Sequence, residues 1–304
     1  MSPVVSPVVS PVVSSGLRMA ALTMVRDERV MLPRWIAHYG RECGVANLFV
    51  IDDNTTDGST DGLPCSVIRI PSWGDKHFET TRMKLVSNIA AGLLEAYDAV
   101  LFADADEFLV ADPLRHDGLL DLVSKRSKAD VLAAQALNVV HNPVREGTLD
   151  PERPVLGQRQ WAKFIPLMCK PAIKRVAAPW VAASHGTTVP FEIDPDLYLF
   201  HLKFAEREHL RMTGDHRKAL ADAEGRAAET AWQFAGDDLV DLLDEVVRDV
   251  DPAAVEPYKS RKKLLGGIVR QGENGHYRAH GRRQFNAMRG QPMVQVPERF
   301  WGKI

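Results

Sequence analysis

The sequence predicts an α/β fold in which a mostly parallel sheet lies between helices on both of its faces. Short apolar runs alternate along the chain with segments of helical periodicity, and this alternation is typical of parallel sheets. The apolar runs stop at acidic or turn-forming residues, as buried strands do where a loop begins. Hydrophobic residues make up 45% of the 304 residues, so the chain can bury the core that this fold requires.

The elements of the predicted sheet follow in order through the first hundred residues. Short apolar runs predict buried strands at 19–24, 47–51, 67–70 and 99–103. Apolar residues at helical spacing predict helices at 32–39 and 79–97. In such a fold the strands deliver the residues at their carboxyl ends to one crevice, where ligands bind.

Composition divides the chain into three predicted parts. Residues 1–17 contain three Ser-Pro-Val-Val repeats, and proline fixes φ and removes a backbone donor, so we expect a disordered tail. Residues 18–204 carry the alternation of strands and helices and form the α/β domain. Residues 205–304 begin with a charged, alanine-rich stretch of helical periodicity, which predicts a helical C-terminal region with a basic tail.

Charge and cysteine content limit the partners and the location. The formal net charge of -2 gives no bulk attraction to nucleic acid, so no nucleic-acid partner is expected. Three distant cysteines and the lack of an apolar run of about 20 residues predict a cytoplasmic protein. Residues 261–289 hold eight Lys or Arg residues and one Glu. We expect a solvated tail from this basic stretch, and the alternatives are that it screens diphosphate charge or makes peripheral contact with an anionic polymer or the inner face of a membrane.

Two acidic turns carry the main chemical signals. Asp104 and Asp106 directly follow the predicted strand at 99–103, and apolar residues flank the pair on both sides. Carboxylates at a strand end can face a hard divalent cation that leaves room for phosphate oxygens, whereas the alternative is a solvated turn with capping carboxylates. The second turn, residues 51–59, also follows an apolar strand, and its alternative is a loop in which Asp57 and Ser59 cap a helix.

These segments resemble the GT-A glycosyltransferases, especially the family 2-like group. The turn Ile-Asp-Asp-Asn-Thr-Thr-Asp-Gly-Ser at 51–59 is similar to that group's second-strand motif, and Thr-Thr-Arg at 80–82 is similar to the start of its nucleotide-side helix. Asp-Ala-Asp-Glu-Phe at 104–108 is similar to the Asp-x-Asp-Glu-Phe motif of one subgroup. The resemblance covers about residues 19–201. It implies that residues 18–204 are a GT-A catalytic domain that binds a nucleotide-sugar.

The resemblance implies an activity and a set of site residues. The activity is that of a hexosyltransferase-like enzyme of polysaccharide biosynthesis, which uses Mn²⁺ or Mg²⁺ to move a sugar from a nucleotide-diphosphate sugar to a saccharide or other hydroxyl acceptor, with inversion. Thr23 would line the nucleotide pocket, Asp53 would bind the base, and Arg82 would reach the nucleotide or its phosphates. Asp104 would bind the ribose or the metal with its water, while Asp106 and a late histidine, His201 before His185, would ligate the metal. The first strand departs from the group's pattern, because Thr-Met-Val-Arg-Asp-Glu at 23–28 stands where the broad family has Tyr-Asn.

Two questions stay open at the level of sequence. The catalytic base requires a carboxylate near the acceptor, and the candidates are Glu107, Glu192, Asp194 and Asp196. Lys174 is interpreted either as a phosphate partner or as a surface charge. A nucleotidyltransferase and a non-catalytic polysaccharide-binding module are the rival functions. The first rival usually has a glycine-rich loop after its first strand, and none is present here.

Overall fold

The structure is a computed structural model that describes residues 16–74, 77–227, 231–281 and 284–304. Residues 1–15, which hold the repeats of the predicted tail, lie outside the described residues.

The described strands and helices follow one another in chain order. The strands are β1 (Met19–Val25), β2 (Leu48–Asp53), β3 (Ser66–Ile70), β4 (Ala99–Phe102), β5 (Glu107–Ala111), β6 (Val131–Val140), β7 (Trp161–Phe164), β8 (Pro171–Lys174), β9 (Trp180–Val181), β10 (Gly186–Thr187), β11 (Glu192–Phe204), β12 (Val269–Gln271), β13 (Tyr277–Ala279) and β14 (Met293–Gln295). The helices are α1 (Met31–Cys43), α2 (Phe78–Leu93), α3 (Leu119–Lys125), α4 (Val155–Gln158), α5 (Arg207–Glu224), α6 (Gly236–Arg248), α7 (Lys262–Ile268) and α8 (Gln284–Gly290).

One large sheet organises the described part of the chain. Its main path runs β14-β7-β6-β8-β4-β1-β2-β3, and β11 joins it beside β6 with β5 on the outer side of β11. Strands β4, β1, β2 and β3 are parallel neighbours, whereas β8, β7 and β14 pair antiparallel. The carboxyl ends of β1, β2 and β4 therefore meet at the same edge.

Helices cover both faces of this sheet, as the alternation of side chains along β1 shows. Met19, Ala21 and Val25 share a core with α1, whereas Ala20, Leu22 and Met24 share a second core with α2. Successive side chains of a strand point to opposite faces, so one face of β1 packs against α1 and the other packs against α2. The predicted α/β fold, with a central sheet between two helical layers, is confirmed.

Residues 205–304 pack onto the sheet through four helices and three short strands in their described parts. Helix α5 lies against α6, β14 extends the large sheet by pairing with β7, and β12 and β13 form a small sheet with β9 and β10. None of the helices among the described residues is long and apolar enough to cross a bilayer.

Candidate active site

The Asp104–Asp106 turn connects β4 to β5 at the edge of the sheet. The backbone N–H of Glu107 donates to the carbonyl of Asp104 at 2.9 Å, which closes the turn. The N–H of Leu202 donates to the carbonyl of Asp106 at 2.8 Å and so ties the turn to β11. Because both flanking strands are buried, the two carboxylates are held at a fixed place rather than on a loose loop.

Asp106 lies beside His201, which β11 supplies from almost a hundred residues further along the chain. The Oδ2 atom of Asp106 is 3.4 Å from Nε2 of His201. The Nδ1 atom of His201 lies 3.0 Å from Oδ1 of Asn138, which can only accept, so Nδ1 carries the proton. In a ring that carries its proton on Nδ1, the lone pair is on Nε2, on the side of Asp106. A hydrogen bond of this kind orients an imidazole for a metal ion.

Asp104 is held between two cations. Its Oδ1 accepts from Nη1 of Arg82 at 2.9 Å, and its Oδ2 accepts from Nζ of Lys170 at 3.1 Å. Burial would raise the pKa of this carboxyl, but the charges of Lys170 and Arg82 outweigh burial and hold it well below its usual range. Asp104 therefore points to cations rather than to Asp106 and His201. Both aspartates line the same cavity, but they differ in their direct partners.

Glu107 is the buried member of the acidic turn. Its side chain is 2% exposed, and Oε1 lies 2.5 Å from Nζ of Lys170. Burial raises the pKa of Glu107, and the charge of Lys170 opposes that shift. Lys170 therefore joins Glu107 and Asp104 into one network.

Asp53, at the carboxyl end of β2, is paired with Arg226 from the segment after α5. Nη1 of Arg226 lies 2.5 Å from Oδ2 and Nη2 lies 3.4 Å from Oδ1, so two terminal nitrogens face two oxygens. Arg226 is fully buried, and its guanidinium lies over the ring of Phe78 at 4.4 Å. Burial raises the pKa of Asp53 although Arg226 opposes that shift.

These groups line a cavity of about 620 Å³. Its floor is the edge of the sheet with Asp53, Asp104 and Asp106, and one wall is α5. Side chains three or four residues apart on α5 face the cavity, namely His209, Met212, Thr213, His216, Arg217 and Leu220. The Nη2 atom of Arg217 comes within 3.9 Å of Oδ2 of Asp106, so this wall reaches the acidic turn.

Thr23 and three of the four carboxylates predicted as the base do not line this cavity. Thr23 is fully buried, because it shares a face of β1 with Met19 and Ala21, which lie under α1. Glu192 and Asp194 lie at the start of β11, and Asp194 accepts from Arg126 at 2.6 Å. Seven residues of extended strand separate Asp194 from His201, a span of roughly 20 Å. The structure therefore places Thr23 in the core, and Glu192, Asp194 and Asp196 of β11 lie outside the cavity.

The histidines and carboxylates of the cavity offer few metal ligands. In the ranges that the structure describes, no three His, Cys, Asp or Glu side chains are grouped to hold a metal ion by themselves. His185 lines the cavity, but Nδ1 of its ring is 2.8 Å from the carbonyl of Leu167. Burial, with a smaller effect of Lys170, lowers the pKa of His185 to about 3, so this ring is neutral. Asp106 and His201 are the pair that is arranged side by side.

Of the cations at the site the sequence indicated Arg82, whereas it did not indicate Lys170, Arg217, Arg226 or the wall formed by α5. Lys170, Arg217 and Arg226 lie 66, 111 and 173 residues from the carboxylates that they meet. The repeat of polar residues at helical spacing on α5 is the signal that could have pointed to the wall. No local pattern marks Lys170 or Arg226.

The sequence matches no protein-family model, and no curated protein matches it. Solved structures give only weak overall similarity. A cytidylyltransferase from Leptospira borgpetersenii serovar Hardjo-bovis is 12% identical with a TM-score of 0.26, over 39% of this chain and 54% of that one. The mannosyltransferase PcManGT from Pyrobaculum calidifontis, in complex with GDP-Man and Mn²⁺, is 16% identical with a TM-score of 0.25, over 42% and 36%. The mannose-1-phosphate geranyltransferase from Thermus thermophilus is 10% identical with a TM-score of 0.29, over 77% and 66%. The chain spans about half or less of the first two proteins, and at these TM-scores the similarities identify neither a family nor an activity.

Proposed function

We propose that the protein is a metal-dependent glycosyltransferase that moves a sugar from a nucleotide-diphosphate sugar to the hydroxyl of a saccharide or similar acceptor. The observation that carries the proposal is the Asp104–Asp106 turn, which opens into a cavity at the carboxyl edge of parallel strands. Ligands of α/β folds bind at this edge, and about 620 Å³ is within the usual range of small-molecule sites.

The charges around the turn suit a diphosphate. Arg82 and Lys170 point at the turn from two sides, and Arg217 approaches it from α5. Cations fixed around a leaving diphosphate stabilise the charge that develops as the glycosidic bond breaks. Their pairing with Asp104 and Asp106 keeps them in place before the donor arrives.

A divalent ion fits this arrangement as a partner of the donor rather than as a closed protein site. Asp106 and His201 would hold it, and the tautomer fixed by Asn138 leaves Nε2 of His201 free to bind. Two protein ligands suit an ion that takes its other ligands from phosphate oxygens and water. When bound, such an ion neutralises charge on the diphosphate.

The chain's own residues would orient both substrates for direct displacement. The sheet edge holds the donor, the α5 wall positions the acceptor, and inversion is expected because the acceptor attacks opposite the leaving group. Of the four carboxylates predicted as the base, Glu107 is the one that lines the cavity. We retain Glu107 as the candidate base on that ground.

Product analysis with a panel of nucleotide-sugars and Mn²⁺ tests the proposal. The glycosyltransferase predicts release of a nucleoside diphosphate with the sugar on the acceptor or on water. A nucleotidyltransferase would instead join a nucleoside triphosphate to a sugar phosphate, forming the nucleotide-sugar and releasing pyrophosphate. A non-catalytic polysaccharide-binding module would bind glycans without turning over either donor, and that result would contradict the proposal.

A further inference from the structure

A stripe of polar side chains on α5 shares the cavity with Lys203 at the end of β11. His209, Thr213 and Arg217 are spaced four residues apart, so they lie above one another on one face of the helix. These three side chains and Lys203 also line a recess of about 10 Å³ that adjoins the main cavity. The four polar side chains therefore converge on one volume.

Lys203 reaches the cavity from the same side of β11 as His201. Leu202 between them is fully buried, whereas His201 and Lys203 both line the cavity, as alternation along a strand requires. Two residues of extended strand separate these positions by roughly 7 Å. Nζ of Lys203 lies 5.7 and 5.4 Å from the ring centres of Phe204 and Phe285. A charged group bound by Lys203 is therefore about one sugar ring away from the proposed metal ligand.

Lys203 and Arg217 differ from the cations at Asp104 in their hydrogen bonds. The cations at Asp104 donate to it at 2.9 and 3.1 Å. Within the residues that the structure describes, Lys203 has no ion pair, and Nη2 of Arg217 comes only within 3.9 Å of Asp106, which is beyond hydrogen-bond length. A lysine has three N–H donors and an arginine has five. These two side chains therefore have donors that a ligand can use.

Two carboxylates border the recess, and each already has another partner. Oδ2 of Asp106 lies 3.4 Å from Nε2 of His201. Oε1 of Glu28 accepts from the backbone N–H groups of Val30 and Met31 at 3.2 and 2.9 Å, at the start of α1. These carboxylates are therefore held for the metal site and for the helix, and they leave the cations of the recess to a ligand.

We propose that this end of the cavity is a subsite for an anionic group of the acceptor, a phosphate or a carboxylate, which is bound by Lys203, His209, Thr213 and Arg217. The inference rests on the proposed function, because it names the chemical class of the acceptor that the α5 wall positions. Phosphate and carboxylate oxygens accept the N–H and O–H donors that these side chains offer. A neutral acceptor would enclose the same donors without giving them a charged partner, which is costly.

The donor and the acceptor then have different cations. Arg82 and Lys170 donate to Asp104, where the proposed diphosphate binds. Arg217 borders both anions, because it approaches the acidic turn from α5. Lys203 forms no ion pair with either aspartate of the turn. Its replacement is therefore the change that best separates acceptor binding from donor binding.

Titration calorimetry on the full chain compares glucose, glucose 6-phosphate and glucuronic acid. Mn²⁺ and the nucleoside diphosphate that the enzyme releases from the donor panel are present at saturation, so the donor side is occupied. We expect a charged sugar to bind roughly 10-fold or more tightly than glucose, as for hydrogen bonds to a charged group. Tighter binding of glucose 6-phosphate would identify phosphate, and tighter binding of glucuronic acid would identify carboxylate. Equal binding of all three sugars, or no binding of either charged sugar, would overturn the inference.

Variants of Lys203 test its role in the subsite. Lys203→Met keeps the length of the side chain without its charge and should abolish the preference for the charged sugar, whereas Lys203→Arg should keep most of it. His209→Gln is a second variant and should reduce the preference by a smaller factor. Lys218→Met is the matched control, because Lys218 lies on α5, pairs with Asp222 at 2.7 Å and does not line the cavity. A preference that survives in Lys203→Met, or that is lost equally in Lys218→Met, would contradict the subsite.

Affinity for the nucleoside diphosphate separates this inference from the proposed function. Lys203→Met should bind the nucleoside diphosphate and Mn²⁺ as the wild type does. A loss of roughly 10-fold or more in that affinity would place Lys203 at the donor diphosphate and overturn the inference, while the glycosyltransferase proposal stays intact. A wild type that neither binds nor releases any nucleoside diphosphate with Mn²⁺ would instead remove the proposed function, and the inference with it.

Discussion

The Nζ atom of Lys170 lies 2.5 Å from Oε1 of Glu107, and both side chains are almost fully buried, at 6% and 2% exposed. Removing one member of such a pair leaves the other charge without compensation in the interior. Lys170→Met should therefore lower the free energy of unfolding by about 3–5 kcal/mol, measured by denaturant titration.

Two variants serve as controls for this prediction. Lys125→Met removes an exposed lysine that pairs with Asp121, and it should cost much less than Lys170→Met. Adding Glu107→Gln to Lys170→Met should restore part of the lost stability, because the uncompensated charge is then gone. Equal effects of the two lysine variants would contradict the assigned role of Lys170.

His201 and Asn138 should act together in binding the metal. His201→Ala should weaken Mn²⁺ affinity by about 10- to 100-fold, and Asn138→Ala should weaken it by a smaller factor because it frees the ring rather than removing it. His38→Ala is the matched control. His38 is buried with Nε2 2.8 Å from the carbonyl of Leu109, so its loss should lower stability and leave Mn²⁺ affinity unchanged. Intact Mn²⁺ affinity in His201→Ala would return this histidine to a purely structural role.

The close packing of α5 against α6 depends on two glycines. A Cβ atom on Gly236 would overlap the carbonyl of Arg211, and Gly214 would bring a Cβ within 2.8 Å of Cα of Gly236. Gly236→Ala should therefore push the helices apart and cost about 1–3 kcal/mol in thermal or chemical unfolding. Gly266→Ala in α7 meets no described atom within 4 Å and should be neutral or slightly stabilising. Similar melting temperatures for the two variants would refute this account of the α5–α6 contact.

Lys174 predicts a pH dependence of stability. Burial lowers its pKa to about 6, and its Nζ lies 2.7 Å from the carbonyl of Ala178 and 3.6 Å from the centre of the Trp180 ring. Between pH 6 and 9 the unfolded chain therefore holds a proton that the folded chain has lost, so stability rises with pH. Lys174 should raise the free energy of unfolding by roughly 1.4 kcal/mol for each pH unit in this range.

Unfolding titrations at pH 6 and pH 9 measure this contribution. The rise should disappear in Lys174→Met and persist in Lys84→Met, which alters an exposed lysine of α2. Parallel pH profiles for the wild type and Lys174→Met would show that Lys174 does not titrate in this range. The location of Lys174 also corrects both interpretations from the sequence, because it is neither a surface charge nor a residue of the cavity.

The parts of the fold that depend on local patterns could be predicted from the sequence. The apolar run at 99–103 and the acidic pair after it predicted strand β4 and the Asp104–Asp106 turn, because burial and turn formation depend on a few neighbouring residues. The alternation of strands and helices gave the layers of the fold in the same way. Thr23 shows what local patterns do not predict. A strand places neighbouring residues on opposite faces, and the position of a residue near the end of a strand does not tell which of the two faces borders a cavity.

The rest of the site depends on contacts between distant segments. His201 reaches Asp106 only because β11 pairs with β5 in a register that opposes His201 to Glu107. The same register carries Glu192 and Asp194 away from the acidic turn. Arg226 meets Asp53 across 173 residues, and neither residue has a neighbour in sequence that predicts the contact.

The most direct test of the central claim is the Mn²⁺-dependent release of a nucleoside diphosphate from a nucleotide-sugar by wild type and Asp106→Asn. We predict that the variant melts near the wild-type temperature and loses at least about 100-fold in turnover, because the ion contributes several kcal/mol of charge stabilisation. Asp121→Asn, which alters a partly exposed carboxylate of α3 that pairs with Lys125 and lies outside the cavity, should keep full activity. Unchanged turnover in Asp106→Asn, or full turnover of the wild type in the presence of a chelator, would contradict the claim that Asp106 holds a catalytic metal ion.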